Sequence, residues 1–355
     1  MASDLRVLKG PLEKRACTAC GYIGVDARST VLDFGDYELY AHAPGGHEER
    51  SRQTAFAAWI VRASAIVPTS VFDAGCGNGS LLVELRAHWP AAALRGRDPA
   101  ASAVAFARAA GIDASVGLLD PADRAASTSE LVISVNVIEH TSDPQSFLRA
   151  LLAQLAEGAR IVLIAPDGSR PNSELLIADH RHSFAPAHLR ALCAEVGLEV
   201  MAQESAPPEL GALACTVARR AGGRLAASTF SDPAPTIREA ERFLASWGRV
   251  DATLLQRLGS RYSLSVFGAG EATGLLRAYA PAVWERVRRC AIDHPGDNLF
   301  GDRPVVPTRE LPRDVPVIVA VRSEAVATVS NRLAANGLKT IRYDDIIHQA
   351  SGVHP

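Results

Sequence analysis

Residues 71–82 read V-F-D-A-G-C-G-N-G-S-L-L: a short apolar run, three glycines at alternate positions, and the start of a leucine-rich stretch. This is the pattern of a strand that turns sharply into a helix. Gly75, Gly77 and Gly79 let the backbone turn tightly and approach a ligand without a Cβ in the way. Strand–turn–helix units of this kind build open α/β sheets, and the rest of the chain follows suit. Val71–Asp73 is expected as a strand, Ser80–His88 as a helix, Ala92–Arg97 as a strand and Ala100–Ala110 as a helix. Leu131–Val135 (strand), Pro144–Ala156 (helix), Arg160–Ala165 (strand), His188–Val196 (helix), Leu198–Ala202 (strand) and Leu213–Val217 (strand) continue the alternation. Strands alternating with helices predict a mostly parallel sheet covered on both faces.

The alternation restarts after a Gly- and Pro-bearing linker. Residues 236–258 are expected as an amphipathic helix, and S-L-S-V-F-G-A-G opens a second, smaller α/β unit. The expected division is therefore an N-terminal segment at 1–50, a core at 51–220, a linker and helix at 221–260, and a C-terminal Rossmann-like unit at 261–355. At 355 residues the chain has room for two such units.

The acids around the first glycine turn select the ligand. Asp73 sits inside the turn, where it would repel a pyrophosphate but attract an ammonium group. Asp98 ends the next strand, where a carboxylate can accept hydrogen bonds from two ribose hydroxyls. An acid at each place suits an adenosyl amino acid better than a dinucleotide.

Four segments occur in order: D-A-G-C-G-N-G, G-R-D-P at 96–99, S-E-L-V-I-S-V-N-V-I-E-H at 129–140, and A-R-I-V-L-I-A-P-D at 159–167. Together they resemble the successive motifs of class I S-adenosylmethionine-dependent methyltransferases. The resemblance implies a Rossmann-like core with S-adenosylmethionine as cofactor. It places Asp73, Gly75 and Gly77 on the methionine part, Asp98 on the ribose and Leu118 and Leu119 beside the adenine. Asn136 and Val137 fall near the sulfonium. Where the family often has an acid after the third-strand glycine, Leu118 follows Gly117, which shifts the adenine contacts to backbone groups or Asp120.

The segment D-H-R-H-S-F at 179–184 resembles the E-H-x-S-x-F stretch of deoxysugar C-methyltransferases. Imidazole can take a proton near neutral pH, especially when a carboxylate orients it. Asp179, His180 and His182 are thus the candidate catalytic residues, with His180 the base. The competing reading is that these histidines cap a helix. Ile177 stands where the sugar enzymes carry a tyrosine. C-T-A-C at 17–20 resembles half of the zinc ribbon that precedes the core in that family. Ala41 and Pro44 occupy the places of the second cysteine pair, so a degenerate ribbon with two free thiols and no metal is expected. His42 and His47 have unconvincing spacing as substitutes.

V-F-G-A-G-E-A-T-G at 266–274, with Asp293 ending the next strand, passes for a nicotinamide-dinucleotide fingerprint. F-G-D-R-P-V-V-P-T-R-E-L-P, however, resembles the C-terminal domain of the sugar methyltransferases, and a substrate-side or packing role for Gly268 and Gly270 is the preferred reading. The acceptor implied is a small molecule, foremost a nucleotide-linked sugar. The alternatives are another natural-product acceptor, or a non-catalytic nucleotide- or sugar-binding protein.

Composition narrows the partners. Net charge is −2 and no basic run occurs, which argues against nucleic acid. No stretch has the ~18 apolar residues of a membrane helix, and no apolar signal region opens the chain. Six scattered cysteines do not make a disulfide framework, so a cytoplasmic location is expected.

Overall fold

The computed structural model describes residues 1–26, 37–40, 47–122, 128–226, 229–259, 263–295 and 299–342. The chain divides into two units. One comprises residues 12–174 and 179–237; the other comprises 1–11, 175–178 and 238–355.

In chain order the first unit contains β1 (Lys14–Ala16), β2 (Ile23–Val25), α1 (His47–Ser64), β3 (Ser70–Ala74), α2 (Ser80–His88), β4 (Ala93–Asp98), α3 (Ala101–Ala109) and β5 (Asp113–Val116). It continues with β6 (Ser129–Val135), α4 (Pro144–Ala153), β7 (Leu155–Pro166), β8 (His182–Ser183), α5 (Pro186–Glu195), β9 (Leu198–Ser205) and β10 (Leu213–Arg220). Seven strands form one sheet in the order β5-β4-β3-β6-β7-β10-β9. β3 to β7 run parallel, while β10 is antiparallel to both of its neighbours.

Alternation along the buried strands feeds two cores. Val71, Leu131, Ile133, Val162 and Ile164 pack with Trp59 and Ile60 of α1, Leu82 and Leu85 of α2, and Val104 of α3. Phe72, Val132, Ile161 and Leu163 pack on the opposite face with Leu148 and Leu151 of α4 and Leu189 of α5. The result is a three-layer α/β/α unit, as the strand–helix alternation predicted. Local chemistry fixes its helix ends. The Asp143 side chain accepts from the N–H groups of Gln145 and Ser146 and caps α4, with Pro144 at the first helical position.

The chain leaves β3 toward β4 and β5 on one side, then returns to β6 and β7 on the other. The strand order therefore reverses between β3 and β6, and a crevice at the C-terminal ends of those strands is the expected ligand site of such a sheet.

A second sheet has no counterpart in the sequence pattern. β1, β2 and β8 form a three-stranded antiparallel sheet, with Ile23 opposite Ser183 and Gly24 opposite His182. Strands of two and three residues are too short to show a period. Their pairing joins the cysteine-bearing segment to the histidine loop.

The other unit contains α6 (Ala234–Trp247), α7 (Val250–Leu258), β11 (Leu264–Phe267), α8 (Glu271–Tyr279), α9 (Pro281–Trp284), β12 (Val287–Ile292), β13 (Leu299–Phe300), β14 (Arg303–Pro307), β15 (Val317–Val319), α10 (Ser323–Ala335) and β16 (Thr340–Arg342). Its six strands run β13-β14-β12-β11-β15-β16, all parallel except β13. Leu264, Val266, Leu276, Val287 and Ile318 build its main core, together with Met1, Leu176 and Ile177. Among the described residues no helix is long and apolar enough to cross a membrane.

Candidate functional site

The glycine turn lies at the C-terminal end of β3. Gly75 and Gly77 have φ of +87° and +50°, a region costly for any side chain. A Cβ on Gly75 would stand 2.4 Å from Cγ2 of Val137, which follows β6. The two strand ends thus close against each other across the switch point, and only glycine fits between them. Asn136 also has positive φ, at +54°, and its Oδ1 is buried without a hydrogen-bond partner.

Asp98 ends β4 and organises the turn. Its Oδ2 accepts from the N–H of Gly77 at 2.9 Å, and its Oδ1 accepts from the N–H of Ala100 at 2.9 Å. Each oxygen keeps a further lone pair for a ligand hydroxyl. Burial raises its carboxyl, against the pull of those two N–H donors. Asp73 is 2% exposed, and its Oδ1 has no partner. Burial and then the charge of Asp98 push its carboxyl up to about 8. A buried carboxylate oxygen without a donor is costly unless a ligand supplies one. An ammonium group is the donor this setting lacks, so the residues fit the methionine end of S-adenosylmethionine.

After β5 the N–H of Gly117 donates to the Asp98 carbonyl at 3.0 Å. Leu118 is 57% exposed, whereas Leu119 packs on the same core as Val137. Asp120 accepts from the N–H of Ala122 at 2.7 Å. The eight residues expected at the cofactor therefore all fall at the C-terminal edge of β3 to β6.

The histidine loop is less as expected. His182 Nε2 lies 2.8 Å from the Thr141 carbonyl, which can only accept, so Nε2 carries the proton. Nδ1 then accepts from the Tyr22 hydroxyl. With both ring nitrogens engaged, His182 ties the loop to β2 and to the turn after β6. His188 is the histidine that caps a helix: its Nδ1 accepts from the N–H of Ala185 at 3.0 Å, while Nε2 donates to the Cys20 carbonyl at 2.9 Å.

Asp179 addresses His140, not the neighbouring His180. Its backbone carbonyl accepts from His140 Nδ1 at 3.0 Å, and its Oδ2 lies 3.7 Å from the same nitrogen. His140 sits in the 3-10 turn Ile138–His140 directly after Val137. The rings of His140 and His180 meet edge to face with centroids 4.8 Å apart. His180 Nδ1 is buried without a partner, and burial, then His140 and Lys14, lower its affinity for a proton.

Lys14 of β1 holds this loop from behind. Its Nζ donates to the His180 carbonyl at 2.8 Å, and burial brings the ammonium down to about 8 despite the nearby charges of Glu174 and Asp179. Glu174 is buried, accepts from the Ser183 hydroxyl at 2.5 Å, and is pushed by burial up to about 7. Lys14, Tyr22 and Glu174 had no place in the sequence reading, and Glu139 stood in it only as a letter of the 129–140 segment. Their partners are far away in sequence, and no local pattern marks them.

The cysteine pair forms a turn in which the N–H of Gly21 donates to the Cys17 carbonyl at 2.8 Å. Cys17 is exposed, and hydrogen bonds from backbone and from Cys20 lower its thiol, whereas burial raises that of Cys20. Ala41, His42, Pro44 and the side chain of His47 lie outside the described residues.

The second glycine turn is built for packing. A Cβ on Gly268 would stand 2.1 Å from the Ala320 carbonyl oxygen, and one on Gly274 would stand 2.5 Å from Met1 Sδ. Asp293 accepts from Thr308 at 2.7 Å and from Arg332 at 2.6 Å.

Residues 48–203 match a family model described as a methyltransferase domain. Over 121 residues the chain is 31% identical to a trans-aconitate 2-methyltransferase of Rhodococcus jostii (strain RHA1), covering 34% of this chain and 47% of the relative. Over 131 residues it is 30% identical to the same enzyme of Mycolicibacterium gilvum (strain PYR-GCK), covering 37% of this chain and 51% of the relative. The chain thus spans about half the length of these curated relatives. Among solved structures, magnesium protoporphyrin IX methyltransferase from Synechocystis PCC 6803 superposes with a TM-score of 0.39 at 16% identity, over 51% of this chain and 88% of that one. The mitomycin 7-O-methyltransferase superposes with 0.41 at 17% identity, over 49% and 54%.

Proposed function

We propose that the chain is an S-adenosylmethionine-dependent methyltransferase acting on a small molecule. One observation carries this reading. A buried carboxylate with an unpaired oxygen, Asp73, stands in a glycine turn at the strand-order reversal, with a second carboxylate, Asp98, one strand away. The family model over residues 48–203 supports it.

The cofactor supplies an electrophilic methyl group on a sulfonium. Asp73 would hold the ammonium of its amino acid, and Gly75 and Gly77 would let the backbone come close. Asp98 would take the ribose hydroxyls, Leu118 and Leu119 would flank the adenine, and Asn136 and Val137 would line the sulfonium end. The chain's own contribution to rate is then alignment and removal of the acceptor's proton. His180 is the proposed proton acceptor, with Asp179 acting indirectly by fixing the His140 ring against it.

The proposed acceptor class is a nucleotide-linked sugar. Its support is the resemblance of the 179–184 segment and of the C-terminal unit to the deoxysugar enzymes. A second reading, methylation of a small carboxylic acid, is favoured by the identity to trans-aconitate methyltransferases. Incubation with methyl-labelled S-adenosylmethionine and a panel of nucleotide sugars and tricarboxylates separates them. Label in a nucleotide sugar supports the first reading; label only in trans-aconitate replaces it with the second. His180→Ala should lower turnover about 10²-fold and leave cofactor affinity within about 2-fold. Unchanged turnover removes His180 from proton transfer.

A further inference from the structure

The turn after β6 and the loop before β8 bring Glu139, His140 and His180 together, with one donor atom of each within 4.8 Å of the others. Glu139 is 1% exposed, and neither of its carboxylate oxygens has a hydrogen-bond partner. His180 Nδ1 is likewise buried and unpaired. Single atoms of this kind are uncommon in a folded chain, because each gives up water without a replacement. Here three of them belong to one cluster, and two residues of that cluster are imidazoles.

We propose that Glu139, His140 and His180 bind one divalent transition-metal ion. Two imidazoles and a carboxylate are borderline donors, which suit Zn²⁺, Fe²⁺ or Co²⁺ better than Mg²⁺ or Ca²⁺. Burial keeps both rings neutral, the form that ligates. The Asp179 carbonyl accepts from His140 Nδ1 at 3.0 Å, the kind of outer contact that fixes a ligand ring. Three protein ligands leave coordination positions open. This rests on the methyltransferase reading: an ion there, in the turn following Asn136 and Val137, would lower the pKa of a bound acceptor oxygen, and His180 would then serve as its ligand in place of the proton acceptor.

The site can be tested without methyl transfer. Full-length protein carrying Cys17→Ser and Cys20→Ser, which removes the competing thiols, is titrated with Co²⁺ and followed by visible absorption and equilibrium dialysis. The expected result is one Co²⁺ per chain without thiolate charge transfer, with affinity falling about 10-fold or more in Glu139→Gln and in His180→Ala. Absence of binding, or binding that both variants leave unchanged, overturns the proposal. If either variant loses its far-UV circular dichroism, pulsed electron paramagnetic resonance of Cu²⁺ on the double-serine chain reads the ligands directly. Two coupled imidazoles support the site, and fewer overturn it. S-adenosylmethionine binding measured on the same samples distinguishes loss of this site from loss of the cofactor reading.

Discussion

At the scale of single residues, Asp73 carries a large electrostatic consequence. Burial holds its carboxyl at about 8 in the folded chain, against about 3.9 for an ordinary aspartate. Between those values the unfolded chain is ionised here and the folded one is protonated. The folded state therefore binds more protons, and stability falls as pH rises through that window, with the loss complete above about pH 8. Denaturant titrations of the cofactor-free protein from pH 5 to 8.5 should show this decline, and Asp73→Asn should make it shallower, leaving the share of Glu139 and Glu174. A parent profile identical to that of the variant would contradict the assignment. The position of Asp73 was legible because the turn's chemistry is local: an acid, three glycines and a second acid at the next strand end. The partner of His140 was not. Asp179 lies 39 residues further on, and the short run D-H suggested that it serves its immediate neighbour, whereas the loop's fold turns its carbonyl to the other ring.

At the scale of elements, the seven-stranded sheet stands or falls on the contact between the ends of β3 and β6. Gly75→Ala adds a methyl group 2.4 Å from Val137 Cγ2 and forces a side chain to φ of +87°. A loss of ~1–3 kcal/mol of stability is expected from the backbone and the clash together. Val137→Ala in the same chain should restore the clash component only. Full restoration would mean that the positive φ costs nothing. The histidine loop is tied in a different way. Tyr22→Phe leaves His182 Nδ1 without its donor and should cost ~1 kcal/mol, visible as a lower melting temperature. The strands of the main sheet were readable as short apolar runs alternating with helices. The three-stranded sheet was not, since β8 has two residues and pairs with a strand some 160 positions earlier. The antiparallel course of β10 was equally silent, because direction leaves no mark on an apolar run that is buried on both faces.

For the molecule as a whole, two α/β units each carry a glycine turn, and the two turns differ in what faces them. At 75–79 there are two acids, of which Asp73 is buried with an unsatisfied oxygen; at 268–270 there are a carbonyl and an engaged Asp293. Hydrogen exchange with and without S-adenosylmethionine should accordingly show protection at 70–80, 95–100, 115–119 and 133–140, with no change at 264–274. NAD should protect neither turn. Protection of 264–274 by NAD would reassign the C-terminal unit as a cofactor domain. Both turns look alike as letters, and sequence distinguished them through the acids Asp73 and Asp98 and through the segments that follow each turn. That residues 1–11 and 175–178 fall in the C-terminal unit has no counterpart in composition or period. The most direct test of the central claim is calorimetric titration of the full chain with S-adenosylmethionine, alongside Asp73→Asn. The account predicts one site per chain, an affinity that rises with pH up to about 8, and about 10²-fold weaker binding in the variant. Absence of binding, or equal binding by parent and variant, would contradict it.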